Sequence, residues 1–572
     1  VEFYYWNGSI QQVTTTKTLN LGQWYHLAMV YDGSSSIKIY INGTLEKSET
    51  VQGTPTGSST VFSIGKIANG SEFNGKVSNV RIAHQALYTS SFRPSTEPFT
   101  TTSQGATGSN VKLLCCNNSS TTGSTVTPET ITANGDPTAS TDSPFDDPEG
   151  FKFGEGGDQN IIKCGSFIGN HTNLPEINLG FEPQFLLWKN ADQSQDWFMV
   201  DSMRGVVTGG NDARLRPNQT YSENSSQNPF EFTPTGFKCT NTDNNTNGVG
   251  ENTIFLAIRR PDPLVAKPVE VGSDVYALER GNSSSIEAYT SGFPVDFSLV
   301  REIGNASDWH QNSRLTQTYY LSTNTNGAQN GPYSAYSFDS NTGWLHGASA
   351  YNASWLSWMW KRHAGFDVVA YKGKNLNGDP FAAFAHNLNK IPEMIWVKRR
   401  DSTNPWSVYH KGLNGGSNPE GYGLQLNTTS AEASSSTRWG NTAPSSTHFF
   451  VGGNSGTNYS GSEHIAMLFA SVEGVSKVGY YDGTGSAGNA QNIGFQPRFI
   501  MIKRANAIEN WPTFNTILGL GAGNDPWLNI DDDASQFTGQ DLLSVSSTGF
   551  TLNDGQAMMN ASGGKYIYYA HA

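Results

Sequence analysis

The amino-acid sequence predicts an all-β fold dominated by four tandem small β-sandwich domains, and three observations carry that prediction. The composition favours strands and turns: of 572 residues only 15% are charged, 12% are aromatic and 61 are glycine, with many Asn, Ser and Thr. Aromatic rings pack on a pleated surface, while Gly and Asn supply the backbone angles of tight turns. No long stretch carries apolar residues at helical spacing. Finally, one phrase recurs in a fixed frame: a turn residue, a large apolar residue five positions on, a cation four after that, and a tryptophan eight further. The instances are Gly180, Phe185, Lys189, Trp197; Gly292, Phe297, Arg301, Trp309; Asn389, Met394, Lys398, Trp406; and Gly494, Phe499, Lys503, Trp511. Recurrence about every hundred residues marks one small domain used four times.

Length and charge narrow the function classes. A chain of 572 residues implies several domains, because single cores stop growing near about 250 residues. A net charge of −13 without a basic block argues against nucleic acid as a partner, since displacing counterions needs clustered Lys and Arg. No apolar run reaches the ~18 residues of a membrane span, and nothing resembles a signal peptide. The chain begins with Val1 inside what reads as a strand over residues 1–6, as expected of a fragment of a longer polypeptide. Four cysteines are too few for a disulfide-built scaffold. Cys115 and Cys116 read as small buried hydrophobes, and Cys164 and Cys239 could meet across a sandwich if their Cα atoms come close.

Residues 1–98 alternate as half-buried strands do. Trp24, His26, Ala28 and Val30 face one way, Asp32 and Gly33 turn the chain, and Ile37, Ile39 and Ile41 run into Asn42-Gly43. Alternation bounded by Asn-Gly signals an antiparallel hairpin. The series continues through Phe62, Ile64, Phe73, Val77, Val80 and Ile82. The phrases Gln23-Trp24-Tyr25-His26-Leu27-Ala28, Ile39-Tyr40-Ile41-Asn42-Gly43 and Phe73-Asn74-Gly75 resemble the laminin-G/concanavalin A-like superfamily. That resemblance implies the C-terminal part of a jelly roll, a fold many of whose members bind glycans or proteins.

Residues 99–160 shift to Ser, Thr, Gly, Pro and Asp and read as an extended connector packed along a neighbour. The repeats follow over residues 161–262, 263–363, 364–474 and 475–572. Each opens on a strand apolar on both faces, such as Phe185-Leu-Leu-Trp188 or Phe499-Ile-Met-Ile502, and is therefore expected to be buried on both faces. Each carries a later phrase: Thr235-Gly236-Phe237, Thr342-Gly343-Trp344, the variant Thr447-His448-Phe449, and Thr548-Gly549-Phe550. Each closes on a hydrophobic strand, residues 254–258, 355–360, 465–469 and 566–569, expected to pair near the first. The expected arrangement is four sandwiches in a row, each hiding its opening and closing segments in its own core. Together these phrases resemble domains found in tandem in tail fibres and appendages of marine, cyanophage-type bacteriophages. The second repeat departs most, with Val295 where the first and fourth have Pro183 and Pro497.

Candidate chemistry is sparse. The cation and tryptophan of the frame would meet on adjoining strands, the cation over the indole face, or each tryptophan could be a platform for a sugar ring. Trp344, Trp355, Trp358 and Trp360 are denser than one core needs, so one of their faces is a candidate inter-domain or inter-chain contact or a carbohydrate surface. Asp531, Asp532 and Asp533 read as a solvated turn, with a hard-cation site such as calcium the functional alternative; Asp142, Asp146, Asp147 and Glu149 read the same way. No catalytic signature of a hydrolase, metalloprotease or nucleotide enzyme occurs, so no enzyme and no cofactor are expected. More than a dozen Asn-x-Ser/Thr sites fit the composition itself. The phage resemblance implies a virion structural protein, part of a tail fibre or similar appendage, extracellular, projecting from the particle and attaching to a host-surface glycan or protein. It further implies a homotrimer alongside other virion proteins. A polysaccharide depolymerase and a cellular surface adhesin or filament are the alternatives.

Overall fold

A computed structural model describes the chain from Val1 to Ala572 except residues 22, 57–61, 67–71, 96, 141–142, 146–160, 172–173, 284–286, 346–350, 377 and 522. It is built of short strands grouped in small sheets, so the all-β expectation holds. Contacts divide it into two compact units, Val1–Lys163 and Cys164–Ala572.

In the first unit, Glu2–Trp6 and Ile10–Thr14 form an antiparallel hairpin, and Leu27–Tyr31, Ser36–Ile41 and Thr44–Thr50 form a three-stranded meander. The turn between the last two is Asn42-Gly43, with φ of 51° and 78°, the doubly left-handed geometry that a two-residue hairpin loop needs. A Cβ at Gly43 would also lie 1.9 Å from the Phe92 carbonyl oxygen. Ile37 and Ile39 are buried on one face of the meander. A second sheet joins Val80–Ala83, Val111–Cys115 and Ser124–Val126. Part of the supposed connector therefore belongs to this unit, held by burial of Leu113, Leu114 and Cys115. Phe62, Ile64, Phe73 and Val77, expected to continue the sheet, lie outside strands and are exposed.

The second unit holds the four repeats, each a sandwich of one larger and one smaller sheet. In the larger sheet the opening strand pairs antiparallel with the closing strand: Pro183–Asn190 with Asn252–Arg259, Phe297–Glu302 with Trp355–Trp360, Met394–Arg399 with Glu463–Phe469, and Phe499–Arg504 with Lys565–His571. The later phrase lies in the smaller sheet, where Gly236, Gly343 and Gly549 meet a facing strand. A Cβ at Gly236 or Gly549 would sit 1.9 Å from the carbonyl oxygen of Ile177 or Gln491, which explains the recurring glycine. Cys164 and Cys239 are free, the first exposed and the second buried, so the possible bridge between them is not formed.

One expectation changes. Each sandwich has an inner core, such as Phe167, Trp188, Phe230 and Phe237 in repeat 1. In repeats 2, 3 and 4, however, the outer faces of the opening and closing strands bury one another. Leu299, Trp358 and Trp360 of repeat 2, Trp396, Met467 and Phe469 of repeat 3, and Phe499, Met501 and Tyr569 of repeat 4 belong to one continuous core. These strands are apolar on both faces because they serve two cores. Repeats 2 to 4 surround a common centre rather than following in a row.

Candidate functional site

The repeated frame builds the joints of that assembly. The opening strand and the strand after it are antiparallel neighbours, which sets the cation close to the tryptophan. The Arg301 guanidinium lies 5.2 Å from the Trp309 ring and the Lys503 ammonium 5.9 Å from Trp511. Arg301, Lys398 and Lys503 are all fully buried, and burial pulls them down, both lysines to about 8 and Arg301 to about 10. What satisfies them is backbone carbonyl oxygen: Lys398 donates to those of Arg399 and Ser402 in its own loop, whereas Arg301 and Lys503 reach into another repeat. Arg301 donates to the carbonyls of Asn529, Asp532 and Ala534 in repeat 4. Lys503 donates to Thr429 O in repeat 3 at 2.9 Å.

The indoles follow the same circuit. Trp309 Nε1 donates to Asn529 O of repeat 4 at 2.8 Å, and Trp406 Nε1 donates to Ser322 O of repeat 2 at 2.9 Å. Trp511 is buried at the equivalent place in repeat 4 with its ring N–H unpartnered. Repeat 2 thus grips repeat 4, repeat 4 grips repeat 3, and repeat 3 grips repeat 2. Backbone bonds reinforce every boundary: Gln536 N to Ile303 O, Glu432 N to Ala505 O, and Gln329 N to Arg400 O. The ring is closed.

A residue type that sequence reasoning missed completes each joint. The backbone N–H of every frame tryptophan is capped by an Asx side chain: Trp197 by Asn218, Trp309 by Asn324, Trp406 by Asn427, and Trp511 by Asp531.

Repeat 1 is attached by a different chemistry, a cluster of buried ions. Arg362 lies 2.8 Å from Glu182 of repeat 1, and Arg260 lies 3.3 Å from the same carboxylate. Asp296, Arg314 and Asp367 complete the cluster. Burial opposes the charge on Arg362, yet Glu182, Asp296 and Asp367 together hold it above its ordinary range. Asp296 is held low despite burial by Arg362, Arg314 and Arg260. Asn387 of repeat 3 donates to Glu182 as well. Buried ions kept in this way fix one geometry, because separating them strands an uncompensated charge.

The sequence candidates take these places. Trp358 and Trp360 face the shared core, while Trp344 and the half-buried Trp355 line the inner core of repeat 2. The two faces therefore serve the inter-repeat and the intra-domain contact, and no sugar ring could reach the three buried indoles. Asp531 is not solvated: its Oδ1 accepts from Trp511 N at 2.9 Å, and burial pushes the carboxyl up to about 6. Asp532 accepts from Asn529 Nδ2 at 2.7 Å, and the Asp533 carbonyl accepts from Ser307 N. The triplet is the loop that Arg301 grips; among the described residues no group of three His, Cys, Asp or Glu is placed to hold a metal ion. Asp142, Asp146, Asp147 and Glu149 lie outside the described residues. Open aromatic surface lies elsewhere: on the first unit Tyr4 and Trp6 point outward from the hairpin, 53% and 48% exposed beside Ile10, and on the second unit Tyr221, Tyr459 and Tyr480 are exposed singly.

Fold and joints define a class: a tandem β-sandwich protein in which three of the four repeats are locked around a common core. The chain belongs to the family described as a domain of unknown function, DUF7483, which matches residues 157–261 and 276–572. The longer matched segment is the one that closes the ring. Residues 1–91 are similar to the Laminin_G_3 family of the concanavalin A-like lectin/glucanases superfamily. No match is found among curated proteins.

Proposed function

We propose that the chain is a non-catalytic structural component of a virion appendage of the tail-fibre type, acting outside the cell as a homo-oligomer that attaches to a host-surface glycan. The observation that supports this reading best is the ring of repeats 2 to 4. Its recurring aromatic and cationic residues are invested in holding domains to one another, which suits a part that carries load. The concanavalin A-like start supplies the attachment surface, with Tyr4 and Trp6 exposed as flat rings able to cover a sugar. Many weak contacts of that kind, linked on one particle, give strong attachment because each raises the effective concentration of the next.

Immunogold labelling with antibodies against the folded second unit tests the location. Gold on the tail or fibres of particles is expected; gold on envelopes of uninfected cells would replace this reading with a cellular adhesin. Incubation with host polysaccharide is expected to leave its chain length unchanged, and shortening would identify a depolymerase.

A further inference from the structure

Repeat 1 carries the face that the other three repeats bury on one another. By register, Phe185, Leu187 and Lys189 oppose Ile258, Leu256 and Ile254 in repeat 1, as Phe297, Leu299 and Arg301 oppose Trp360, Trp358 and Leu356 in repeat 2. The six residues of repeat 2 are between 0% and 2% exposed. The six of repeat 1 are all only half-buried, and both strands alternate between a buried inner side and a more open outer side. Trp197 is likewise half-buried, whereas Trp309, Trp406 and Trp511 are at most 1% exposed.

The other half of the joint is also present and open. Asn218 caps Trp197 at 3.0 Å as its equivalents do, but the surrounding loop, residues 217–223, is exposed, with Tyr221 at 64%. Lys189 turns back onto the carbonyls of Gln193 and Gln195 in its own loop, at 3.2 and 2.9 Å. Repeat 1 therefore has both the donor side and the acceptor side of a joint: Trp197 and the loop 217–223 stand open, and Lys189 is held in its own loop as Lys398 is in repeat 3.

We propose that two further copies of this chain cover the face, so that three copies of repeat 1 close a second ring like the one repeats 2 to 4 form within one chain. Phe185, Leu187, Leu256 and Ile258 form its centre. Trp197 Nε1 donates to the Arg216 carbonyl of the next copy, which stands two residues before Asn218 as Ser322 and Asn529 stand before Asn324 and Asp531. Lys189 swings from its own loop to the exposed loop of that copy. The inference rests on the homo-oligomeric part of the proposed function and names its surface.

Light scattering of the full chain, alone and as Leu187→Asp and Leu256→Asp variants, tests it. The wild type is expected at three times 62.0 kDa, and either variant at the mass of one chain. Both sites are half-open in the single chain, so an aspartate there is tolerated by the monomer, and unchanged circular dichroism verifies folding. Val249→Asp, on a loop residue 67% exposed elsewhere on repeat 1, is expected to leave the trimer intact. A trimer that survives both core variants would overturn the assigned face while leaving the homo-oligomer standing. A dimeric wild type would overturn the three-copy ring while leaving the homo-oligomer standing, and a wild type that is monomeric at micromolar concentration would overturn the inference together with that part of the proposal, whereas attachment to host cells is measured separately.

Discussion

Removing one indole from the shared core separates an interlocked ring from three independent sandwiches. Trp358 is fully buried, 4.8 Å from Trp309, in the core that repeats 2, 3 and 4 have in common. Trp358→Ala deletes a large side chain from a site walled by three domains that cannot collapse freely, for which a loss of about 3–5 kcal/mol is expected. If the ring unfolds as one unit, that loss is felt throughout it. Amide exchange in the closing strands of the untouched repeats, Glu463–Phe469 and Lys565–His571, then accelerates as much as in Trp355–Trp360. At 1.4 kcal/mol per factor of ten, the acceleration is roughly 10²- to 10⁴-fold. Hydrogen–deuterium exchange read by mass spectrometry resolves these peptides. Acceleration confined to repeat 2 would refute the reasoning, because it would show that the common core does not couple its three contributors.

Other consequences are as direct. Burial holds His571 at about 3 against an ordinary 6.5, so the stability contributed by its neutral form is complete above pH 6.5 and is lost as the pH falls toward 3. Between pH 7 and pH 5 this group should remove about 2 kcal/mol, and His571→Gln should shrink the difference in urea-derived unfolding free energy between those pH values by that amount. Arg362→Leu leaves Glu182, Asp296 and Asp367 short of a buried partner and should cost about 3–5 kcal/mol, with faster proteolysis between repeats 1 and 2 as the readout. Trp6→Ala should change the melting temperature little, since the side chain is 48% exposed, and should weaken binding of the labelled chain to host cells; unchanged binding would move the attachment surface elsewhere.

Much of the fold was legible because it is written in local pattern. Alternation and Asn42-Gly43 fixed the meander, and the opening and closing strands emerged from apolar runs of strand length. What could not be read is which surface covers a strand's second face. Phe297, Leu299 and Trp358 look alike whether they fill a private core or a common one, and the decision lies in contacts such as Arg301 to Asp532, 231 residues apart. The Asx caps escaped for a different reason. They stand 21, 15, 21 and 20 residues after their tryptophans, so loop-length variation erased the fixed frame that exposed the cation and the indole. Asp531 was misjudged as solvated because three consecutive acids usually face water, whereas here the first turns inward to cap Trp511 and the carbonyl of the second serves Arg301.

The contrast between repeat 1 and the others shows what the frame is for. All four copies keep the cation, the indole and the Asx cap. Where a neighbouring repeat is present, the cation gives up water for carbonyl oxygens and the indole is fully buried. In repeat 1 the lysine, like Lys398 of repeat 3, is satisfied within its own loop, and the indole stays half-open. A buried cation is costly unless hydrogen-bonded, and burial of the frame lysines lowers their pKa to about 8 in repeats 3 and 4. Arg301 and Lys503 supply a directional donor across a boundary, which a purely apolar residue could not. The presence of the cation in repeat 1 argues that this copy, too, is built to meet another of its kind.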